Sequence, residues 1–327
     1  MKSITIALSA ALAIVCIMLA NLYLTVNDVS KDKQPIKSPK YHIQVITQNS
    51  DDHFWKMFKD GANSAGVNLN VYVEFVDISK RDVDNSIQAV ERGIYADVDG
   101  IALQANDIEK TTAILKEAAD NGLSVLTYEN DLYNIPDVVS VGSNSYDIGF
   151  TAGTMGVKAC NGVGNVAVII NDSSDKDNQY KNIKVQGIME AFTKYSNMNI
   201  SQVYTLDTGV FEMEKLTSKI LTNNPNVNLI ICTDERNTPG VAQVLVDSNR
   251  VGDIKVIGYG EMPQTISYIE RGVIYGTVCP DAYQIGYNTV SQLNSILEGE
   301  TVSDSTNTDV YSVDEDNYKL YIENTKE

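Results

Sequence analysis

The chain has 327 residues and a formal charge of −18, from 43 acidic and 25 basic side chains. Such a surface repels phosphate backbones, which excludes nucleic acid as a partner. Four cysteines without a CxxC pair and only two histidines leave no clustered ligand set for zinc.

The N-terminal forty residues differ from the rest. Ile4 to Val26 reads ITIALSAALAIVCIMLANLYLTV, with Asn21 the main polar interruption. As a helix it would reach roughly 34 Å, enough to cross a bilayer core. A cleaved signal peptide has a shorter apolar core and a small-residue cleavage site. Ala13-Ile14-Val15-Cys16 matches a lipoprotein cleavage box only weakly. The expectation is therefore an uncleaved signal anchor behind Lys2, with a lipidated or cleaved signal as the alternative. The next segment, NDVSKDKQPIKSPK, is polar, contains Pro35 and Pro39, and reads as a stalk. Residues 1–40 are thus expected to tether the protein to the extracytoplasmic face of a bacterial cell membrane.

About 290 residues remain, enough for two domains of ordinary size. Short β-rich apolar runs alternate with amphipathic stretches. Strands are predicted over His42–Thr47, Asn70–Asp77, Gly100–Gln104, Leu123–Glu129 and Asp137–Gly142. Helices are predicted over Phe54–Ala65, Asp82–Arg92 (capped by Asp82) and Asp107–Asn121. The pattern then restarts. A helix over Ile148–Cys160 leads into a strand at Asn165–Asn171, a helix over Tyr180–Tyr195, a strand at Asn199–Leu206 and a helix over Phe211–Leu221. Then come the strand VNLIICT, a helix over Pro239–Asp247, the strand IKVIGYG, a helix over Thr265–Arg271, the strand VIYGTV and a helix over Tyr283–Leu297. Val310–Ile322 supplies a last strand. Alternation of this kind predicts parallel sheets covered on both faces, and two sets of similar size predict two similar doubly wound lobes. Ligands of such sheets bind beyond the carboxyl ends of the strands.

Catalytic motifs are missing. Gly162-Val163-Gly164 precedes a strand instead of following one, so it reads as a turn, not a dinucleotide loop. There is no GxxxxGK[ST], GxSxG or HExxH. His53 is a lone histidine at a predicted helix start and reads as structural or solvated.

Several segments, in this order and spacing, resemble the sugar-type periplasmic binding proteins, relatives of the ribose- and glucose/galactose-binding proteins. They are DDHFWKMFKDGA, VDGIALQANDIEKTTAILKEAADNGLSVLTYEND, VGSNSYDIGFTAG, VFEMEKLTSKILTNNPNVNLIICTDERNTPGVAQVL and KVIGYGEMPQTISYIERGVIYGTVCPDAYQIGY. The resemblance covers about residues 41–322. It implies two lobes joined by a multi-strand hinge, residues 41–143 with 281–309 and residues 144–280 with 310–327. It also implies a monosaccharide-like ligand between them, no cofactor, no metal and no catalysis. Aromatic rings would cover the C–H faces of such a ligand while carboxylates and amides take its hydroxyl protons. By resemblance the contacts are Asp52, Phe54 and Trp55 in the first loop, with Trp55 the better stacking plate because Phe54 and Phe58 are one turn apart. Gln104, Glu129 and Asn130 follow at strand ends. In the second lobe they are Asn182 or its neighbour Lys184, Phe211 as an aromatic plate, and Asp234 or Glu235, one facing ligand and the other capping a helix. Two positions depart from the family's pattern. Gly260 stands where an Asp is usual, with Glu261 a substitute from the next position, and Pro280 stands at the usual hinge Gln or Asn.

Three functions follow from these readings. The first is a receptor for an ABC-type import permease. The second is a receptor for a membrane histidine kinase, with the tether favouring lateral contact and the ligand extending to a sugar-derived signal. The least favoured is a sugar-modifying enzyme. A repressor's sensor domain shares the fold, but it would begin with a DNA-binding helix-turn-helix where this chain has Ile4–Val26.

Overall fold

A computed structural model describes residues 38–48, 53–78, 83–105, 107–129, 135, 137–170, 182–206 and 210–324. The hydrophobic stretch, most of the stalk, Asp52, Asp82 and Asn130 lie outside them, as does the side chain of Phe211. Among the described residues no helix is long and apolar enough to cross a membrane.

Strands β1 (His42–Gln48), β2 (Tyr72–Ile78), β3 (Gly100–Leu103), β4 (Ser124–Tyr128), β5 (Val139–Ser143) and β11 (Ser305–Thr308) form one sheet in the order β11-β5-β4-β3-β1-β2. All its pairs are parallel. Strands β6 (Gly164–Ile170), β7 (Met198–Thr205), β8 (Leu229–Cys232), β9 (Lys255–Tyr259), β10 (Gly276–Pro280) and β12 (Val310–Asp314) form the other, in the order β12-β10-β9-β8-β6-β7. Only β12 runs antiparallel there, against β10. The first five strands of each set thus have one order, reversing direction between the first and third strand. Parallel strands are buried on both faces, which is why GIAL of β3 and LIIC of β8 are apolar throughout.

Helices α1 (His53–Leu69), α2 (Val83–Tyr95), α3 (Ile108–Asp120), α4 (Ser145–Ala159), α5 (Ile183–Phe192), α6 (Val210–Asn223), α7 (Asn237–Asp247), α8 (Pro263–Glu270), α9 (Ala282–Leu297) and α10 (Tyr318–Asn324) connect and cover the strands. A sheet with its helices is called a lobe below. Each lobe carries an apolar core on both faces of its sheet. The chain changes sheets three times. After β5 it enters α4, which packs on the second sheet; after β10 it enters α9, which packs on the first; and β11 leads directly into β12. Both crossing helices are capped by a side chain. Asn144 Oδ1 accepts from Tyr146 N at 2.9 Å, and Asp281 accepts from Gln284 N at 2.8 Å.

The crossing helices carry a repeated pattern, Tyr146-Asp147-Ile148-Gly149-Phe150 and Tyr283-Gln284-Ile285-Gly286-Tyr287. In each the glycine lies against a partner backbone. A Cβ at Gly149 would come 1.9 Å from Lys184 O on α5, and one at Gly286 would come 1.9 Å from Phe58 O on α1. A Cβ at the reciprocal glycines, Gly187 and Gly61, would come 2.2 and 2.0 Å from Tyr146 O and Tyr283 O.

The predicted strands and helices are present with shifted ends, and the tail is where the structure differs. The strand expected over 310–322 stops at Asp314, and 318–324 form α10. A side-chain turn stops it: Asp314 Oδ1 accepts from Asp316 N at 3.0 Å, and Asn317 Oδ1 accepts from Asp314 N at 2.8 Å. Strand β11 (STNT) has no apolar residue to announce it and exists by pairing with β5 at the sheet edge. The Gly-Val-Gly segment is a turn, with Gly162 at φ +77°.

Candidate functional site

In the first lobe, polar side chains line the carboxyl ends of β1, β3 and β4. Gln48 closes β1, and its Nε2 donates to Gln104 Oε1 at 2.9 Å. Gln104 Nε2 in turn donates to the backbone oxygen of Glu129 at 3.2 Å. Gln48 and Gln104 flank the place where strand order reverses, the usual ligand position of a doubly wound sheet. Glu129 is held on three sides. Its N–H donates to Val141 O at 2.8 Å, its carbonyl takes Gln104, and its Oε1 accepts from Ser143 N at 2.9 Å. It does this from a left-handed backbone, φ +48°. Beneath it, Tyr128 is fully buried and donates its hydroxyl to Ile46 O at 2.6 Å. Burial, then the charges of Glu129 and Asp77, push that phenol well above its usual range, so it stays a donor.

The aromatic pair of the first loop divides against expectation. Trp55, the preferred plate, is 6% exposed and packs edge-on against Phe54, Phe58 and Tyr128, with centroids 5.2, 5.7 and 6.2 Å away. The buried stripe of α1 runs through Trp55, Phe58, Ala62 and Ala65, so the helix turns Trp55 inward. Phe54 is half-buried at the edge of that cluster and is the ring left toward the surface.

In the second lobe the candidates are largely engaged with their own backbone. Asn182 caps α5, its Oδ1 accepting from Lys184 N at 3.0 Å and Val185 N at 3.4 Å. Lys184 lies over the Tyr259 ring at 4.9 Å. Asn182→Ala is therefore expected to cost about 1 kcal/mol in denaturant melts, with Asn182→Asp restoring most of it. Phe211 stands at the start of α6. Of the pair after β8, Asp234 takes the turn into α7, accepting from Arg236 N at 3.0 Å. Glu235 Oε1 accepts from Glu261 N at 3.3 Å. Gly260 is left-handed at φ +79°, and a Cβ there would come 2.5 Å from Glu235 Cγ. An Asp at 260 would be strained in that backbone and would require the Glu235 side chain to move. Pro280 ends β10, buried opposite Val310.

Glu261 is 8% exposed. Its Oε2 accepts from the hydroxyls of Tyr311, at very short range, and Tyr321, at 2.8 Å. Burial raises both phenols far above their ordinary range, with Glu261 and Cys279 adding to it, so both remain donors. Its Oε1 stands 3.6 Å from Nε2 of His53, the first residue of α1 in the other lobe. The carboxyl ends of the two sheets therefore face each other, with Gln48, Gln104, Glu129, Phe54 and His53 on one side and Glu235 and Glu261 on the other. Reading the sequence alone missed Gln48, Ser143, Tyr311 and Tyr321. Among the described residues no His/Cys/Asp/Glu group of metal-binding size is present. A surface recess of about 500 Å³ lined by Lys158, Gly162, Lys194, Tyr195 and Asn197 lies at the opposite, amino end of β6 and takes no part in this cleft.

The chain matches the family model of the periplasmic binding protein domain over residues 43–301. It is 22% identical to the D-allose-binding periplasmic protein of Escherichia coli (strain K12) over 257 residues, 74% of this chain and 80% of that protein. Its fold is similar to that of GanP, a glucose-galactose binding protein from Geobacillus stearothermophilus. There the TM-score is 0.77 at 25% identity, covering 84% of this chain and 98% of GanP. A similar fold, TM-score 0.71 at 24% identity, covering 85% of this chain and 98% of the other, occurs in the XylFII-LytSN complex. With this match over most of its length, and a cleft between the carboxyl ends of two parallel sheets, the chain belongs to the periplasmic binding protein domain family.

Proposed function

We propose that this protein is an extracytoplasmic receptor that holds a monosaccharide-like ligand between its two lobes and releases it unchanged. The observation that carries the reading is the run Gln48–Gln104–Glu129 across the strand ends of the first lobe, two side-chain amides linked to each other and to the backbone carbonyl of a glutamate. These groups match the alternating donors and acceptors of a sugar's equator, and the half-buried Phe54 ring suits a C–H face. Asp52, Asn130 and Phe211 complete the set by resemblance to the family; Asp234 and Glu235 border it from the second lobe. The closing bodies are residues 41–143 with 281–309 and residues 144–280 with 310–327. Ligand bridges them and favours the closed state by binding it more tightly. The D-allose-binding relative and the sugar-binding neighbours support this ligand class.

The test is thermal melting of the full chain against D-allose, D-ribose, D-glucose, D-galactose, L-arabinose and a cyclitol. A sugar at a hundred times its Kd stabilises the folded state by about 2.7 kcal/mol, a rise in Tm of roughly 5 °C or more. No shift with any of them sinks the sugar reading.

Delivery to an ABC-type import permease is the first role. A second, presenting the ligand to a membrane histidine kinase, draws on the hydrophobic stretch Ile4–Val26, long enough for a tether. Deleting the gene separates them: loss of labelled-sugar uptake marks import, and loss of only the sugar-induced transcriptional response marks sensing.

A further inference from the structure

Two polar atoms face each other across the cleft without a bond. One is Nε2 of His53, the first residue of α1, which is buried and has no hydrogen-bond partner. The other is Oε1 of Glu261, 3.6 Å away. They are too far apart to bond each other, and close enough for one oxygen about 2.8 Å from each to touch both.

The fold treats the two oxygens of Glu261 differently. Oε2 accepts from the hydroxyls of Tyr311 on β12 and Tyr321 on α10, and the residue's backbone N–H is spent on Glu235. Among the described residues, Oε1 has no hydrogen-bond donor, although the side chain is only 8% exposed. A buried carboxylate oxygen without a donor is costly, so Oε1 is the atom left for a donor from outside the chain. The tautomer of the ring follows from its neighbour. A bare Nε2 lone pair turned to a carboxylate oxygen would be repelled, so Nε2 carries the hydrogen. The pair thus offers one donor and one acceptor, which is what a single hydroxyl needs: it accepts from Nε2–H and donates to Oε1. An ether or carbonyl oxygen takes only the first bond, and an ammonium group only the second.

We propose that His53 and Glu261 together seat one hydroxyl of the ligand, one contact from each lobe, with Tyr311 and Tyr321 as positioning residues that aim the carboxylate. The seat rests on the sugar reading proposed above. It gives His53, which reads from the sequence as structural or solvated, a part in selecting the ligand.

The test is isothermal titration of the full chain with the sugar of the melting panel that stabilises it, and with each monodeoxy analogue of that sugar. In the wild type, loss of one particular hydroxyl is expected to weaken binding roughly ten- to a hundredfold, as for bonds to a charged group. His53→Ala is expected to bind the parent sugar roughly three- to tenfold more weakly, and Glu261→Gln roughly tenfold or more. In both, preference for the parent over that one analogue narrows while preference over the other analogues stays. Tyr321→Phe narrows the same preference, which a general loss of stability would not do. His53→Gln, which keeps a donor, restores part of the affinity, and melting without sugar separates affinity from folding in every variant. A His53→Ala protein that binds the parent sugar as tightly as the wild type overturns the seat, and so do variants that lose discrimination at different hydroxyls. If no panel sugar binds the wild type, the sugar reading fails and takes the seat with it; if a sugar binds and the variants match the wild type, the seat alone fails.

Discussion

Glu129→Gly is expected to leave the protein folded and to lower its affinity for the sugar that stabilises the wild type by roughly ten- to a hundredfold, the worth of hydrogen bonds to a charged group. Glycine is the informative replacement. Glu129 sits at φ +48°, a conformation that costs a side chain about 1 kcal/mol and glycine almost nothing. Relief of that strain offsets loss of the bond from Ser143 N, so the melting temperature without sugar should move little while the sugar-induced shift falls by about half or more. The backbone bonds to Val141 and Gln104 do not depend on the side chain. Isothermal titration of both proteins with that sugar checks it, and unchanged affinity would remove Glu129 from the site. Trp55→Ala, a natural first choice from the sequence, would confuse the issue. Removing a core indole costs roughly 3–5 kcal/mol whether or not ligand touches it.

Gly149→Ala and Gly286→Ala should be the most damaging single-methyl additions in the described chain, each lowering stability by roughly 2–4 kcal/mol. In both, the new Cβ meets a partner helix's carbonyl oxygen at 1.9 Å. Nothing flexible can yield there, so two helices must separate and the apolar residues between them lose contact. The fall in Tm should be roughly 5–10 °C. Alanine at the exposed Lys116 serves as the control, with a change under about 0.5 kcal/mol. Differential scanning calorimetry of the three variants decides the matter, and a mild effect would mean that the helix pairs slide apart at little cost.

What the sequence made legible follows burial. Strands such as β3 and β8 lie between two layers of helix, so they are written as unbroken apolar runs that stand out. Gln104 and Glu129, named by resemblance to the family, directly follow two of the buried strands, β3 and β4. Strand β11 is polar and pairs with only one neighbour, so nothing in its composition marks it. The facing of α1 was misjudged because Phe54–Phe58 and Trp55–Phe58 are both allowed helical spacings, and only packing against Tyr128 chooses between them. Glu261 was named from the sequence, but its partners were beyond reach for another reason. Its hydroxyl donors lie 50 and 60 residues away, and its histidine neighbour is on the other lobe. Contacts that cross the chain three times leave no local pattern.

Those three crossings also bear on how the molecule is made. The first lobe is not finished when its first five strands have been synthesised. Helix α9, which covers β3, β4 and β5, and the edge strand β11 come only after all of the second lobe but β12 and α10. A chain leaving the ribosome or a secretion pore from its amino end must therefore hold a half-covered sheet in waiting, with the apolar face meant for α9 open to solvent or to a chaperone. The second lobe has its central strands and most of its helices complete before that face is sealed. Vectorial synthesis thus inverts the order of the gene: the lobe that is encoded first closes late, and a premature stop anywhere before residue 282 leaves that lobe without the helix that covers it.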